Sequence, residues 1–361
     1  MPSRPNRLFS HLAAFLLLLV SSLTGIAQAD VTDSLARSYN SAFLSPALGR
    51  ISKVDAKCVG CAGQTAEEKN ENHLCTNFYD KIAGDGVVRI HLSFGYFDDS
   101  ESESVQVDFK NLGHNSSSDQ AFYMVMIKGL TGRCKGDMQA CRFTEVAPGK
   151  LVKRVRSPEG KDVTFEITAE YSSLTPYYQV NTVDRASEQR QKSEANRQSF
   201  MNALRTDDAV FYLGHSRNGG GPDFLPPRLM ANGHPNYHGY YQPEHPGFND
   251  LLAGIRARGE APPLLAMYSC MSEAWFGAKL YSLSPHSSYI FSQSDKLSGM
   301  NEHFQAAFAT IDGLTRFQCA QGMQDEVRAA RTDSNVNELL RNLMSERSPV
   351  NTRARPLVKA D

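Results

Sequence analysis

The chain has no excess of charge of either sign. Its 361 residues carry a formal net charge of −1, which argues against nucleic acid or an anionic membrane surface as partner. After the first 29 positions no run is apolar enough to span a bilayer. No repeat period is visible. Several signatures of common chemistry are also missing. There is no Gly-Lys-Ser/Thr phosphate loop, no GxGxxG, no HExxH and no GxSxG, and Ser269 sits in Tyr268-Ser269-Cys270-Met271-Ser272, a poor setting for a serine nucleophile. Cys58-Val59-Gly60-Cys61 is followed by Ala62, not by the histidine that haem attachment needs.

The N-terminus reads as a secretory signal over 1–29. Arg4 and Arg7 precede an apolar Leu12–Val20 stretch and a small-residue site at Ala27-Gln28-Ala29. The expected location is periplasmic or secreted, with no stable membrane insertion once the signal is removed. In an oxidising compartment cysteines pair, and seven is an odd number. Leaving Cys270 as the free thiol makes the remaining six even, and Cys134 with Cys141 is the first pairing to expect, across a short polar loop containing Gly136. Structural disulfides are the expectation for the others, with a four-thiolate zinc site as the alternative.

Beyond the signal the texture changes twice. Residues 30–57 read as a helical or irregular lead-in, and residues 65–72 favour helix. From 86 to about 170, alternation at Val88, Ile90, Leu92 and Phe94, at Val105, Val107 and Phe109, and at Val163, Phe165 and Ile167 predicts antiparallel strands in a small sandwich or barrel. Phe122–Ile127 is a denser apolar run, and Lys150–Arg156 reads as a solvated edge strand. Later, residues 184–205 favour a helix with Phe200, Ala203 and Leu204 on one face. Phe248, Leu251, Leu252 and Ile255 mark a second helix, Ser288–Ser292 a short strand, Phe304, Phe308 and Ile311 a further helix, and Asn335–Arg347 a C-terminal one. Strand alternating with helix is the mark of a parallel, doubly wound α/β sheet. The expected organisation is a β-rich, disulfide-containing region over 30–160, followed by an α/β domain over 161–361.

Two apolar runs of strand length end on reactive side chains. AVFYLGHS (209–216) stops at His215, and PLLAMYSC (263–270) stops at Cys270. Short apolar runs bounded by turns suggest buried parallel strands, and in open α/β sheets chemistry lies beyond the carboxyl ends of the strands. Were the two strands neighbours, imidazole and thiol would share one rim, as nucleophilic cysteine catalysis requires. After His215 comes a glycine-rich loop, Gly219-Gly220-Gly221, with Asp223 beyond it. Glycines there let a ligand backbone approach closely, and Asp223 and Arg217 are candidates to line a substrate pocket. A third constellation, His234, His238 and His245 with Glu244 near, has the residue types for a metal-dependent hydrolase, although Pro235, Gly239 and Pro243 disfavour a helix that would hold them on one face.

The pair Gly214-His215-Ser216 and Ser269-Cys270, and the interval between them, resembles the caspase-type cysteine peptidases, which include caspases, legumains and gingipains. That family is marked by a strand ending in His-Gly and a later strand ending in a small residue and Cys; Ser216 here replaces the glycine. The resemblance covers roughly 160–330. It implies a caspase-like, mostly parallel sheet in the C-terminal half and a polypeptide substrate cleaved as an acyl-enzyme. Cys270 would be the nucleophile and His215 the acid–base, with an oxyanion hole from the backbone N–H groups of Ser216 and Cys270. No cofactor or metal is implied. A non-catalytic binding protein on the same scaffold is the competing expectation, beside the metal-dependent one.

Overall fold

A computed structural model describes residues 31–54, 66–98, 106–107, 110–112, 116–228, 230–232, 236, 246–292, 299–330 and 338–339. The signal at 1–29, Cys58, Cys61 and His234, His238 and His245 lie outside them, as does the expected C-terminal helix save for Glu338–Leu339.

The molecule is an α/β fold on one mixed, mostly parallel sheet. Its strands in chain order are β1 (Val87–Phe94), β2 (Thr144–Ala147), β3 (Lys150–Arg156), β4 (Asp162–Tyr171), β5 (Ala209–Leu213), β6 (Leu264–Tyr268) and β7 (Ser288–Ser292). Across the sheet they run β7-β6-β5-β1-β4-β3-β2, and a two-residue strand at Glu338–Leu339 pairs antiparallel outside β7. The five strands β7, β6, β5, β1 and β4 are parallel, while β3 and β2 form an antiparallel hairpin against β4.

β5, β6 and β7 are buried on both faces, β1 on both only toward its carboxyl end, and β4 on one face only. In β1, Val88, Ile90, Leu92 and Phe94 enter one core, which helices α2 (Ala66–Ala83), α3 (Asp119–Thr131), α7 (Gly299–Thr315) and α8 (Ala320–Ala330) cover. In β5 and β6, Val210, Tyr212, Leu265 and Met267 enter the opposite core, under α4 (Ala186–Thr206), α5 (Pro246–Arg258) and α6 (Ala278–Leu283). Helix α1 (Ser45–Ile51) and residues 31–44, also helical, pack on the first face. The short apolar runs of 209–213 and 264–268 are what doubly covered strands look like in sequence.

The antiparallel sandwich expected over 86–170 is not what forms. β1 and β4 pair in parallel, Val87 opposite Thr164. β1 and β4 alternate because one face of each enters the apolar core while the other carries Arg89, His91 and Ser93 in β1 and Thr164, Glu166 and Thr168 in β4. Phe122–Ile127 lies in α3, where Phe122, Val125 and Met126 are spaced for one helix face. Lys150–Arg156 is one strand in from the edge; the edge itself is β2, exposed throughout and irregular between Glu145 and Ala147, a bulge that discourages further pairing.

The boundary expected near residue 160 falls between β3 and β4, which pair from Arg156–Asp162 to Lys150–Thr168. A disulfide between Cys75 and Cys319 joins α2 to the start of α8, and Cys134–Cys141 closes the loop after α3. The second pairing is the one the sequence suggests. No helix among the described residues is long and apolar enough to cross a membrane.

Candidate active site at the switch point of the sheet

In order of sequence the parallel strands lie second, first, third, fourth, fifth across the sheet. The winding therefore reverses between β1 and β5, and the crevice beyond their carboxyl ends is where such sheets place their ligands. His215 is there, two residues past the end of β5.

Close packing shapes this end of the sheet. Gly95, which follows β1, donates its N–H to Leu213 O at 2.8 Å. A Cβ at Gly95 would lie 2.4 Å from Asp223 O and 2.6 Å from Tyr212 Oη, so no side chain fits there. The buried Tyr212 hydroxyl accepts the Asp223 N–H at 2.8 Å and sits 3.0 Å from His215 O and 3.1 Å from Asp223 O. One phenol thus ties the residue after Gly214 to the far end of the glycine loop.

The His215 ring stacks on Phe97, centroids 4.6 Å apart and planes at 13°. Its Nε2 lies 2.9 Å from Asp98 Oδ1 and 3.3 Å from Asp98 O. Asp98 is fully buried and also accepts from Arg217 Nη2 at 2.6 Å, while Arg217 Nε donates to Asp223 Oδ2 at 2.8 Å. Burial alone would push the Asp98 carboxyl up, but the adjacent Arg217 guanidinium and His215 outweigh it and hold the group well below the usual carboxylate range. For Asp223 burial wins, with Asp98 adding to it, and its pKa is raised despite Arg217. Arg217 and Asn218 both adopt positive φ, 47° and 48°. Such backbone persists only where surroundings over-determine it, here through the two carboxylates that grip the guanidinium.

The segment that carries Asp98 is held by a second buried carboxylate. Asp119, at the first position of α3, accepts the N–H groups of Ser172 and Ser173 at 2.9 and 2.7 Å and the Ser117 hydroxyl, and its Oδ1 lies 3.5 Å from Phe97 N. Asp98 pairs with Ser117 in an isolated β-bridge. The loops after β1 and β4 are therefore stitched together directly beneath His215. Asp98 and Asp119 are the residues that sequence reasoning missed. Asp98 sits in Asp98-Asp99-Ser100, a composition that reads as a solvated turn.

Cys270 lies outside both disulfides and is partly buried. β5 and β6 are neighbours, with Leu213 opposite Tyr268, so His215 and Cys270 stand two residues beyond the same paired position. The chain then turns sharply. Ser272 N donates to Ser269 O, Met271 takes φ 48°, and the Ser272 hydroxyl donates to Met267 O at 2.6 Å and accepts Ser292 N at 2.8 Å. Residues Glu273–Gly277 follow as a wide helical turn before α6, and they pack against the Arg217–Gly219 turn.

The glycine loop folds onto itself. Gly219 N and Gly221 N donate to Ser216 O, Gly220 N to Arg217 O, and Gly220 O accepts Gly247 N. Gly219, Gly220, Gly221 and Asp223 are buried, as is Ser216. These groups frame the site from behind. Asp223 also forms part of the wall of a large cleft beyond it. Among the described residues no group of three or more histidine, cysteine or acidic side chains is arranged to hold a metal ion.

No family model, curated protein or solved structure matches this chain.

Proposed function

We propose that this chain is an exported, caspase-like cysteine peptidase that hydrolyses peptide bonds through a Cys270/His215 dyad. The observation that carries the reading is the register of β5 and β6: adjacent parallel strands end on a histidine and a cysteine at equivalent positions beside the switch point. The buried acidic partner of His215 supports it, because a base oriented by a third group is the recurring mark of an activated nucleophile. The two disulfides support export, since such bonds persist in oxidising compartments.

In this mechanism Cys270 attacks the scissile carbonyl as thiolate, forming the C–S bond. His215 Nε2 is turned to Asp98, which leaves Nδ1 for the thiol and for the departing amine. The imidazolium protonates that amine as the C–N bond breaks. Water, deprotonated by the same imidazole, then hydrolyses the thioester. The N–H groups of Ser216 and Cys270 are the candidate oxyanion donors.

Cys270→Ala should abolish turnover of a peptide library by the mature protein. His215→Ala should lower it by about 10²–10⁴, the range of a general acid–base catalyst. Turnover that survives Cys270→Ala but stops on chelation would move the activity to His234, His238 and His245. No turnover in any peptide would leave the non-catalytic scaffold.

A further inference from the structure

The His215 ring is held in two places. Asp98 meets its Nε2 edge at 2.9 Å, and Phe97 lies nearly flat against one face, centroids 4.6 Å apart and planes at 13°. The two contacts constrain different motions. Histidine χ2 is a broad, roughly twofold torsion, so the residue does not set the plane of its own ring. A hydrogen bond at Nε2 selects which edge faces the carboxylate, but it acts as a pivot about which the ring can still tilt. A stacked neighbour fixes the plane, but it is indifferent to a half-turn that exchanges the edges. Together they leave one orientation, in which Nδ1 is the nitrogen left for Cys270.

Phe97 is built as a fixed surface. Its N–H lies 3.5 Å from Asp119 Oδ1, and its carbonyl accepts Ser118 N at 3.0 Å, so its backbone is clamped at the start of α3. The two residues before it are pinned as well: Gly95 N donates to Leu213 O, and Tyr96 N to Asp223 O at 3.1 Å. Behind the ring, Phe122 of α3 meets it edge-on, centroids 6.4 Å apart and planes at 87°. Phe122 in turn stacks on Tyr39 at 4.5 Å and 19° and touches Phe304 of α7 at 5.7 Å. Three elements thus stand behind one ring: α3, α7 and the helical residues 31–44. A functional group is held precisely when its support is itself locked by packing.

Phe97 is also a core residue, and it shares its core with Phe165 of β4. The two rings differ in what they touch. Phe165 packs against Phe317, toward the amino end of its strand and away from the carboxyl rim. Phe97 stands at that rim, with one side in the core and the other against the candidate acid–base.

We propose that Phe97 is a positioning residue for His215. Its ring sets the plane of the imidazole, Asp98 sets which edge points inward, and the pair aims Nδ1 at the Cys270 rim. Phe97 moves no proton and acts only through the ring it holds. The inference rests on the peptidase reading for the reaction it serves, but the orientation of the ring is measurable without turnover.

The test uses the full mature chain and three variants. Phe97→Leu keeps an apolar side chain and removes the flat face, and Phe97→Tyr returns a ring. Phe165→Leu measures a loss that is packing alone. On the best-cleaved member of a peptide library, Phe97→Leu should lower kcat by about 10- to 100-fold with KM little changed, the scale of a misplaced catalytic group. Phe97→Tyr should recover most of that loss. Phe165→Leu should lower the thermal midpoint without lowering kcat. Proton NMR of chain carrying ring-¹³C histidine, with His215 assigned through His215→Ala, reads the stack directly. In the wild type the His215 ring protons should lie upfield of the ordinary histidine range, shifted by the Phe97 ring current. They should return downfield in Phe97→Leu and stay upfield in Phe97→Tyr. Wild-type His215 signals already at the ordinary position overturn the proposal, and so does a kcat in Phe97→Leu no lower than in Phe165→Leu. Ring-dependent His215 signals without any turnover by the wild type would leave Phe97 as the residue that orients the imidazole and remove the peptidase. Wild-type turnover that Phe97→Leu does not change would do the reverse.

Discussion

At Asp98 three demands meet. Its carboxylate must stay ionised in a site that excludes water, must face His215 Nε2 at 2.9 Å, and must share Arg217 with Asp223. Two buried carboxylates share the one Arg217 guanidinium. Asp98 is thus a positioning residue: it acts on the thiol through the ring. Asp98→Asn keeps the shape and removes the charge. Turnover should fall at least tenfold, and Cys270 alkylation should slow more at pH 6 than at pH 8.5, because the reactive thiolate needs its oriented partner most where protons compete for it. A variant that is merely less stable, with alkylation reduced equally at both pH values, would show Asp98 to be a structural staple only. Loss of stability itself is expected, since breaking a buried ion pair costs about 3–5 kcal/mol.

Helix α4 shows how an element can be legible on one side only. Phe200, Ala203 and Leu204 declare its apolar face, and the structure buries them. Gln189, Ser193 and Asn196 are buried too, yet they read as solvent-facing polar residues. They are inside because the loops after β1 and β4 present backbone groups that need partners. Asn196 Nδ2 donates to Phe94 O at 2.8 Å and to Ser172 Oγ at 2.9 Å, and Gln189 bonds Ser172 O and Leu174 N. Asn196→Ala should cost about 1–3 kcal/mol by removing those two bonds and the acceptor of the buried Ser93 hydroxyl. Gln198→Ala, on the exposed face and bonded to the equally exposed Glu194, should be near neutral; comparable losses at the two positions, by denaturant unfolding, would contradict this account of the stripe. The same asymmetry governs the candidate site. His215 and Cys270 are legible because each ends a strand-length apolar run. Asp98 and Asp119 are not, because a carboxylate in a Ser- and Asp-rich turn has the same local sequence whether it is solvated or sealed under another loop. Parallel pairing of β1 with β4 is invisible for a related reason: period-two alternation reports that a strand's two faces differ, not which neighbour it has.

For the molecule as a whole, the face of the sheet that α7 and α8 cover carries a buried charge cluster of its own. Asp312 on α7 and Glu326 on α8 are both sealed and share Arg316, which lies 2.8 Å from Glu326 Oε1 and 3.6 Å from Asp312 Oδ2. Asp312 also accepts Gln139 N and Ala140 N at 2.6 Å each, beside the Cys134–Cys141 loop. Burial first, and the Asp312 charge second, push Glu326 up to about 8. The acid is thus raised in the folded state above its unfolded value of about 4.3. Its contribution to stability is complete below that unfolded value and is lost as pH rises through about 8. Asp98 has the opposite sign: its depressed pKa contributes above about 3.9, the unfolded carboxylate value, and is lost only as pH falls below that. Unfolding free energy should therefore decline between pH 5 and 8, by at most about 1.4 kcal/mol per pH unit from this one group. Glu326→Gln should flatten the decline. A wild type and Glu326→Gln with parallel pH profiles over that window would refute the assignment.

The pairing of His215 with Cys270 is tested most directly by the rate at which Cys270 is alkylated as a function of pH, read by peptide mass mapping without reductant. An unassisted thiol loses reactivity as pH falls below its ordinary pKa of about 8.5. A thiolate held by His215 should stay reactive to well below pH 7 in the wild type, and His215→Ala should restore the ordinary thiol profile. A wild-type profile already centred near 8.5 and unmoved by His215→Ala would mean that the two side chains do not act together, and the peptidase reading would fall with them.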